Sequence, residues 1–422
     1  MICYNDDNTK NKKVLVVEER DIMIKNKLKQ TNVVFTCIVA LVAVNILSFV
    51  LIYRETNEFL SSLPRQSEAT TYQQRIEQLS LLGGPSKDET VNITAETAGS
   101  VLGADQRVSL SGNIYYSTLA NGERSNKWAI LIHGFMMTGD LMANAVGQMY
   151  LDQGYNVLAP DLRGAGSSKG KTGMGYSESL DIWDWLTFLN TNYSVDEVIV
   201  HGISLGGATT LQLWSQKDQG RDLASQKVVG LVDDCGYTSM TGIIDGLLTL
   251  PDGIQELGEL LNLPELPSLY DLIGYDNVKK FLISFVGVGL NENNFDYYQD
   301  TFAAGRAFSD VPILVIHGTD DTTVPYSNSV TVINEAKKRN LKTTFWSVEG
   351  QPHAFIVAGI NKQEYRNQVI NFINDVTKNP IDSSQLPSTG GSTGNILTDI
   401  VSTVGDLFNG LLDIIKQIFP KF

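Results

Sequence analysis

Apolar and polar positions are distributed very differently from one part of the chain to the next. Residues 33–53, VVFTCIVALVAVNILSFVLIY, form an apolar run without one charged side chain. As a helix this run would span roughly 31 Å, about the hydrocarbon thickness of a bilayer. It predicts a transmembrane helix, with Asn45 and Ser48 as tolerable interruptions. From residue 54 to about 105 no sustained β pattern holds. TYQQRIEQLSLL would suit a short amphipathic helix, and GGPSKDETVNITAETAGS is small and polar, so residues 54–105 read as a stalk or linker.

From about residue 106 the pattern becomes regular. RVSLSGNIYYSTL alternates as strands do, and KWAILIHG is a short apolar run closed by glycine, as in a buried parallel strand. Strand-like YNVLAP, DEVIVHGIS, VVGLVDD, VPILVIHG and KTTFWSV then alternate with helix-like LMANAVGQMYLDQG, SESLDIWDWLTFLNTNY, LGGATTLQLWSQ, SNSVTVINEAKKRN and KQEYRNQVINFINDV. This predicts an α/β fold over 106–379, a doubly wound, mostly parallel sheet with helices on both faces. Sites in such folds gather at the carboxyl ends of the strands. Between about 240 and 308 the alternation stops. The leucine-rich, proline-punctuated stretch there is too long for a simple connection and predicts a helical cap over the strand ends.

Charge fixes the expected orientation. Seven basic side chains lie within residues 10–29, whereas Arg54 and Arg65 are the basic residues that closely follow the apolar run. The positive-inside rule leaves residues 1–32 in the cytoplasm and the rest outside the cell. The run is longer than a signal-peptide core and no Ala-x-Ala site follows, so it reads as an uncleaved signal anchor. A net charge of −15 argues against nucleic acid as a partner. The three cysteines, Cys3, Cys37 and Cys235, offer neither a disulfide framework nor a metal-ligand spacing, and no metal or cofactor is expected.

The candidate chemistry centres on Gly202-Ile203-Ser204-Leu205-Gly206. A lone Gly-x-Ser-x-Gly is a weak signal, but here it joins a strand to a helix, the setting of a nucleophile elbow. Gly202 and Gly206 would let strand and helix approach, and the Leu205 amide would face a developing oxyanion. A serine needs a base, and the base needs an orienting acid. His133, His201 and His317 sit within or at the ends of strands and read as structural. His353, on a loop between the last strand and the last helix, reads as the base. HGTDDTTVP offers Asp320 and Asp321 as acids, giving the chain order Ser, Asp, His. Asp161 and Arg163 read as a structural pair shaping their loop.

The stretches ILIHGF, APDLRGAGSSKG, GISLGG, DDCGYTS, ILVIHGTDDTTVP and EGQPHAF resemble the α/β-hydrolase superfamily, and more narrowly its bacterial exported or membrane-anchored serine hydrolases of the serine-aminopeptidase-like group. The resemblance covers about Gln106 to Val376. It implies Ser204 as nucleophile, Asp321 as acid, His353 as base, and the backbone amides of Phe135 and Leu205 as the oxyanion hole. Some relatives carry the acid one strand earlier, which keeps Asp233 and Asp234 as alternatives. Gly350-Gln351-Pro352 departs from the small residue and glycine usual before the histidine. The expected function is a serine hydrolase cleaving carboxylic esters, acting on a small-molecule ester or acyl substrate at the outer face of the cell membrane. A peptidase or acyltransferase with the same triad, or a non-catalytic surface binding protein, are the alternatives.

Beyond the domain, residues 380–395 read as a flexible linker containing Leu386-Pro-Ser-Thr-Gly390, which matches the sortase signal for Gram-positive cell walls. The signal needs a spanning segment and basic residues after it. Instead Asp399, Asp406 and Asp413 recur every seven residues through 396–422, which predicts an amphipathic helix. The motif therefore reads as chance or relic, with wall attachment as the alternative.

Overall fold

Along the central strands of the sheet, neighbouring side chains serve opposite cores. Trp128, Ile130 and Ile132 enter one apolar cluster while Ala129 and Leu131 enter the other. Val198 and Val200 face the first and Ile199 and Ile203 the second; Ile313 and Val315 part from Leu314 and Ile316 in the same way. Burial on both faces explains why these strands read as continuous apolar runs.

The computed structural model describes residues 84–378, apart from 136, most of 240–299 and 358–360, together with a few isolated positions further on. The expected transmembrane run, most of the cap, the LPSTG linker and the C-terminal amphipathic helix lie outside the described residues. Among those described, no helix is long and apolar enough to cross a membrane.

Eight strands form one sheet in the order β1-β2-β4-β3-β5-β6-β7-β8. They are β1 (Glu89–Thr94), β2 (Ser109–Tyr115), β3 (Lys127–Ile132), β4 (Tyr155–Pro160), β5 (Glu197–Ile203), β6 (Val228–Asp234), β7 (Ile313–Gly318) and β8 (Thr343–Val348). β1 pairs antiparallel with β2, and β2 with β4; every later pairing is parallel. Helices α1 (Glu96–Leu102), α3 (Tyr176–Asn192), α4 (Leu205–Trp214) and α5 (Ser327–Lys338) supply residues to the first core. The second core is covered by α6 (Lys362–Val376) and by α2, a helical run of Gly139–Met142, a π-turn Ala143–Gly147 and Gln148–Asp152.

Two expectations change. The stalk does not extend to residue 105: residues 89–102 form β1 and α1. Only Val91 and Ile93 mark β1 as a strand, because an edge strand needs few apolar positions, and Ala95 and Ala98 lock the following helix with no exposed surface. Nor do Asp161 and Arg163 pair. Arg163 instead grips Asp181 of α3 through Nε at 2.7 Å and Nη2 at 2.6 Å, both residues buried. Asp161 accepts the amides of Gly139 at 3.0 Å and Ser167 at 2.8 Å. The end of the expected cap, residues 301–308, packs Phe302 and Phe308 into the first core beside Trp214.

Candidate active site

β5 ends at Ile203 and α4 begins at Leu205, so Ser204 makes the whole turn alone. Its backbone adopts φ 58° and ψ −115°, a conformation that L side chains rarely hold. Its amide donates to the Asp234 carbonyl at 2.8 Å, and its carbonyl accepts the Ala208 amide at 2.9 Å. Gly202 and Gly206 are required by space. A Cβ at Gly202 would collide with the Gly206 backbone, and one at Gly206 with the Ile132 carbonyl of the neighbouring strand.

His353 arrives on the loop after β8. The Nε2 of its imidazole lies 2.8 Å from Ser204 Oγ, and its Nδ1 lies 2.6 Å from Asp321 Oδ2. Asp321 follows β7, and its other oxygen accepts the amides of Thr323 at 2.9 Å and Val324 at 2.8 Å. Two loops must meet for this. The Thr319 amide donates to the Val348 carbonyl, the Gly350 amide to Thr319 Oγ1 and the Asp320 amide to the Gln351 carbonyl. Gln351 therefore stitches the histidine loop to the aspartate loop, and the unusual Gly350-Gln351-Pro352 sequence leaves His353 in reach of its partners. Burial alone would raise the Asp321 carboxyl. The facing His353 charge and the hydrogen bonds from His317 and His353 override it and hold the group well below the usual carboxylate range.

Phe135, on the loop after β3, has its side chain 37% exposed. The preceding Gly134 is so near the elbow that a Cβ there would lie 3.3 Å from Ser204 Cβ. Among the described residues, neither the Phe135 nor the Leu205 amide has a backbone acceptor.

The other histidines are spoken for. Buried His133 accepts the Leu162 amide, and buried His201 lies between Tyr150 and Tyr365; burial lowers them to about 4 and about 3. His317 is also buried, but it touches the site: Nε2 lies 3.0 Å from Asp321 Oδ2. Sequence offered no signal for that contact, since the strand-end position alone reads as structural. Cys235, just past β6, was equally silent in the sequence. Its Sγ, an Asp321 oxygen and a His353 ring nitrogen all lie within 4.8 Å of one another.

The alternative acids sit elsewhere. Asp234 Oδ2 accepts the Tyr365 hydroxyl at 2.7 Å, and Asp233 Oδ1 accepts the Gly236 amide at 3.0 Å. Their second oxygens, Asp234 Oδ1 and Asp233 Oδ2, are buried without a hydrogen-bond partner among the described residues. Burial raises Asp233 to about 7 and Asp234 to about 6. A carboxyl raised in the fold holds its proton where the unfolded chain has lost it. Its contribution to stability therefore falls as pH rises from about 4 to about 7. Buried His133 and His201 act with the opposite sign, so the difference between two proteins isolates the effect. Asp233→Asn should match the parent near pH 4 and exceed it by on the order of 2–4 kcal/mol at pH 8 in urea unfolding. A difference that does not grow with pH would show that Asp233 is charged in the fold.

A family model described as the alpha/beta hydrolase fold matches residues 128–243, and one for the prolyl oligopeptidase family matches 268–380. The chain belongs to the α/β-hydrolase superfamily. It is 30% identical over 158 residues to a multifunctional-autoprocessing repeats-in-toxin of Vibrio vulnificus, across 34% of this chain and 3% of the toxin. It thus spans a small fraction of the length of the curated relatives it matches. Among solved structures, the chain is similar to a Pyrobaculum calidifontis esterase, with 13% identity, TM-score 0.49, and coverage of 78% of this chain and 99% of that one. It is also similar to a Pyrococcus furiosus esterase, with 21% identity, TM-score 0.47, and coverage of 71% and 93%.

Proposed function

We propose that the chain hydrolyses carboxylic esters through an acyl-enzyme on Ser204. The observation that carries the reading is the continuous relay from Ser204 Oγ through His353 to Asp321, at 2.8 and 2.6 Å. Ser204 Oγ attacks the ester carbonyl carbon while His353 Nε2 takes its proton. Asp321 keeps the Nδ1 proton in place and faces the imidazolium that forms. The amides of Phe135 and Leu205 donate to the oxyanion, each worth about 3 kcal/mol. The tetrahedral adduct collapses, the C–O bond to the alcohol breaks and His353 returns the proton to the departing oxygen. Water, deprotonated by the same nitrogen, then releases the acid and restores Ser204.

The ester reading is supported by exposed Phe135 beside the elbow and by the leucine-rich stretch at 240–308, which together suit an apolar acyl group. The prolyl oligopeptidase match over 268–380 favours a second reading, a peptidase using the same relay. The apolar run at 33–53 and the basic residues before it support a site outside the membrane. Protease added to intact cells should then remove the domain, and a protected domain would reverse that orientation. A fluorophosphonate should label the protein but not Ser204→Ala. Nitrophenyl esters of graded chain length should turn over faster than aminoacyl nitroanilides. Faster anilide cleavage would favour the peptidase, and no labelling together with no turnover would refute the hydrolase reading.

A further inference from the structure

Cys235 is unlike anything the relay uses. It follows β6 with φ 47°, and its buried side chain lies among Asp234, Asp321 and Ala354. Burial pushes its thiol well up, so the sulfur stays protonated while nothing offsets its charge. Yet the fold gathers this sulfur, a carboxylate oxygen and an imidazole nitrogen, one from each of three strand ends, with His353 partly open to solvent. Thiolate, imidazole and carboxylate are the donors that zinc takes.

We propose that Cys235 Sγ, Asp321 and His353 Nδ1 form an inhibitory site for a thiophilic divalent cation such as Zn2+, which regulates the relay assigned above and rests on that assignment. Zinc bond lengths place neighbouring ligand atoms about 3.5 Å apart. The Nδ1–Oδ2 pair must open from 2.6 Å, and any pair near the 4.8 Å limit must close, shifts within reach of side-chain rotation. Charge favours occupancy. One thiolate and one carboxylate neutralise the dication, so no net charge is buried. The carboxylate is already held by the Thr323 and Val324 amides and by His317, the kind of support that orients metal ligands.

The consequence for catalysis follows from the proton count. Binding expels the Cys235 thiol proton to solvent. The metal takes the Nδ1 lone pair, so the neutral imidazole carries its one proton on Nε2. That nitrogen faces Ser204 Oγ at 2.8 Å. It then donates to the serine and cannot accept from it, and the nucleophile loses its base. Removing the metal restores the original tautomer without breaking a covalent bond.

The test uses the full-length protein and Cys235→Ser, with Cys235→Ala in reserve if the serine variant misfolds by circular dichroism. Co2+ should give the parent a thiolate-to-metal charge-transfer band that the variant lacks. Zn2+ should reduce parental ester turnover at least about tenfold, reversibly with EDTA, while the variant keeps its basal rate and needs at least about tenfold more Zn2+. Equal zinc sensitivity in both proteins, or no cobalt band in the parent, would overturn the site. If the protein turns over no substrate, the cobalt band still decides metal binding, and the loss falls on the hydrolase reading alone.

Discussion

Ser204→Ala and His353→Ala should each lower kcat on a good ester by about a millionfold, and the double variant should lose no more than either alone. Oγ and Nε2 face one another at 2.8 Å and act as a unit, so removing either leaves the other without a task. What survives is rate enhancement from binding and from the Phe135 and Leu205 amides, about a thousandfold over water. Alanine keeps the Ser204 backbone as strained as before, so the fold should persist and circular dichroism should match. Single-turnover and steady-state rates on one nitrophenyl ester are the measurement. Losses that multiply in the double variant would mean that serine and histidine serve separate steps. A single variant retaining about one per cent activity would point to another nucleophile.

Asp321→Asn should cost about ten-thousandfold in kcat with little change in KM, and the local geometry says why. Oδ1 accepts two backbone amides, from Thr323 and Val324, so the carbonyl oxygen of an asparagine would be drawn there. Its NH2 group must then point at His353 Nδ1. Facing a donor, that nitrogen must be the acceptor, and the imidazole carries its proton toward the serine. The variant would be well folded with its base in the wrong tautomer, which nitrogen-15 chemical shifts of His353 would report. Activity within tenfold of the parent would remove Asp321 from the relay and leave Asp233 and Asp234 as the remaining candidate acids.

Much of this arrangement could be read from the chain because each relay residue sits at a strand end marked by its own short pattern. The apolar run before Gly202 and the helix-forming run after Gly206 define the elbow without knowledge of anything distant. The parts that were silent depend on how loops and helices fold back in space, which no local pattern records. Arg163 finds Asp181 rather than its near neighbour Asp161, because α3 folds back over the loop and buries both charges. His317 reaches Asp321 only because the loop after β7 curls back on its own strand. β1 was hidden for another reason. An edge strand needs only one buried face, and two apolar residues among DETVNIT are too few to distinguish it from a linker.

The buried chain of polar groups through His201 bears on how the protein is made. His201 is at the centre of the sheet, and one of its two partners, the Tyr365 hydroxyl, lies 164 residues further on; the same hydroxyl serves Asp234, 131 residues before it. A growing chain that has completed every strand through β8 but not α6 leaves His201 and Asp234 without the Tyr365 hydroxyl and the second core without the side chains of Tyr365, Val369, Phe372 and Ile373. Contacts of such range are the slowest to close, and a half-covered sheet is the surface that chaperones and proteases recognise. Folding of this domain during synthesis should therefore wait for α6, and a chain stalled before Lys362 should be far more open to added protease than one that includes Val376.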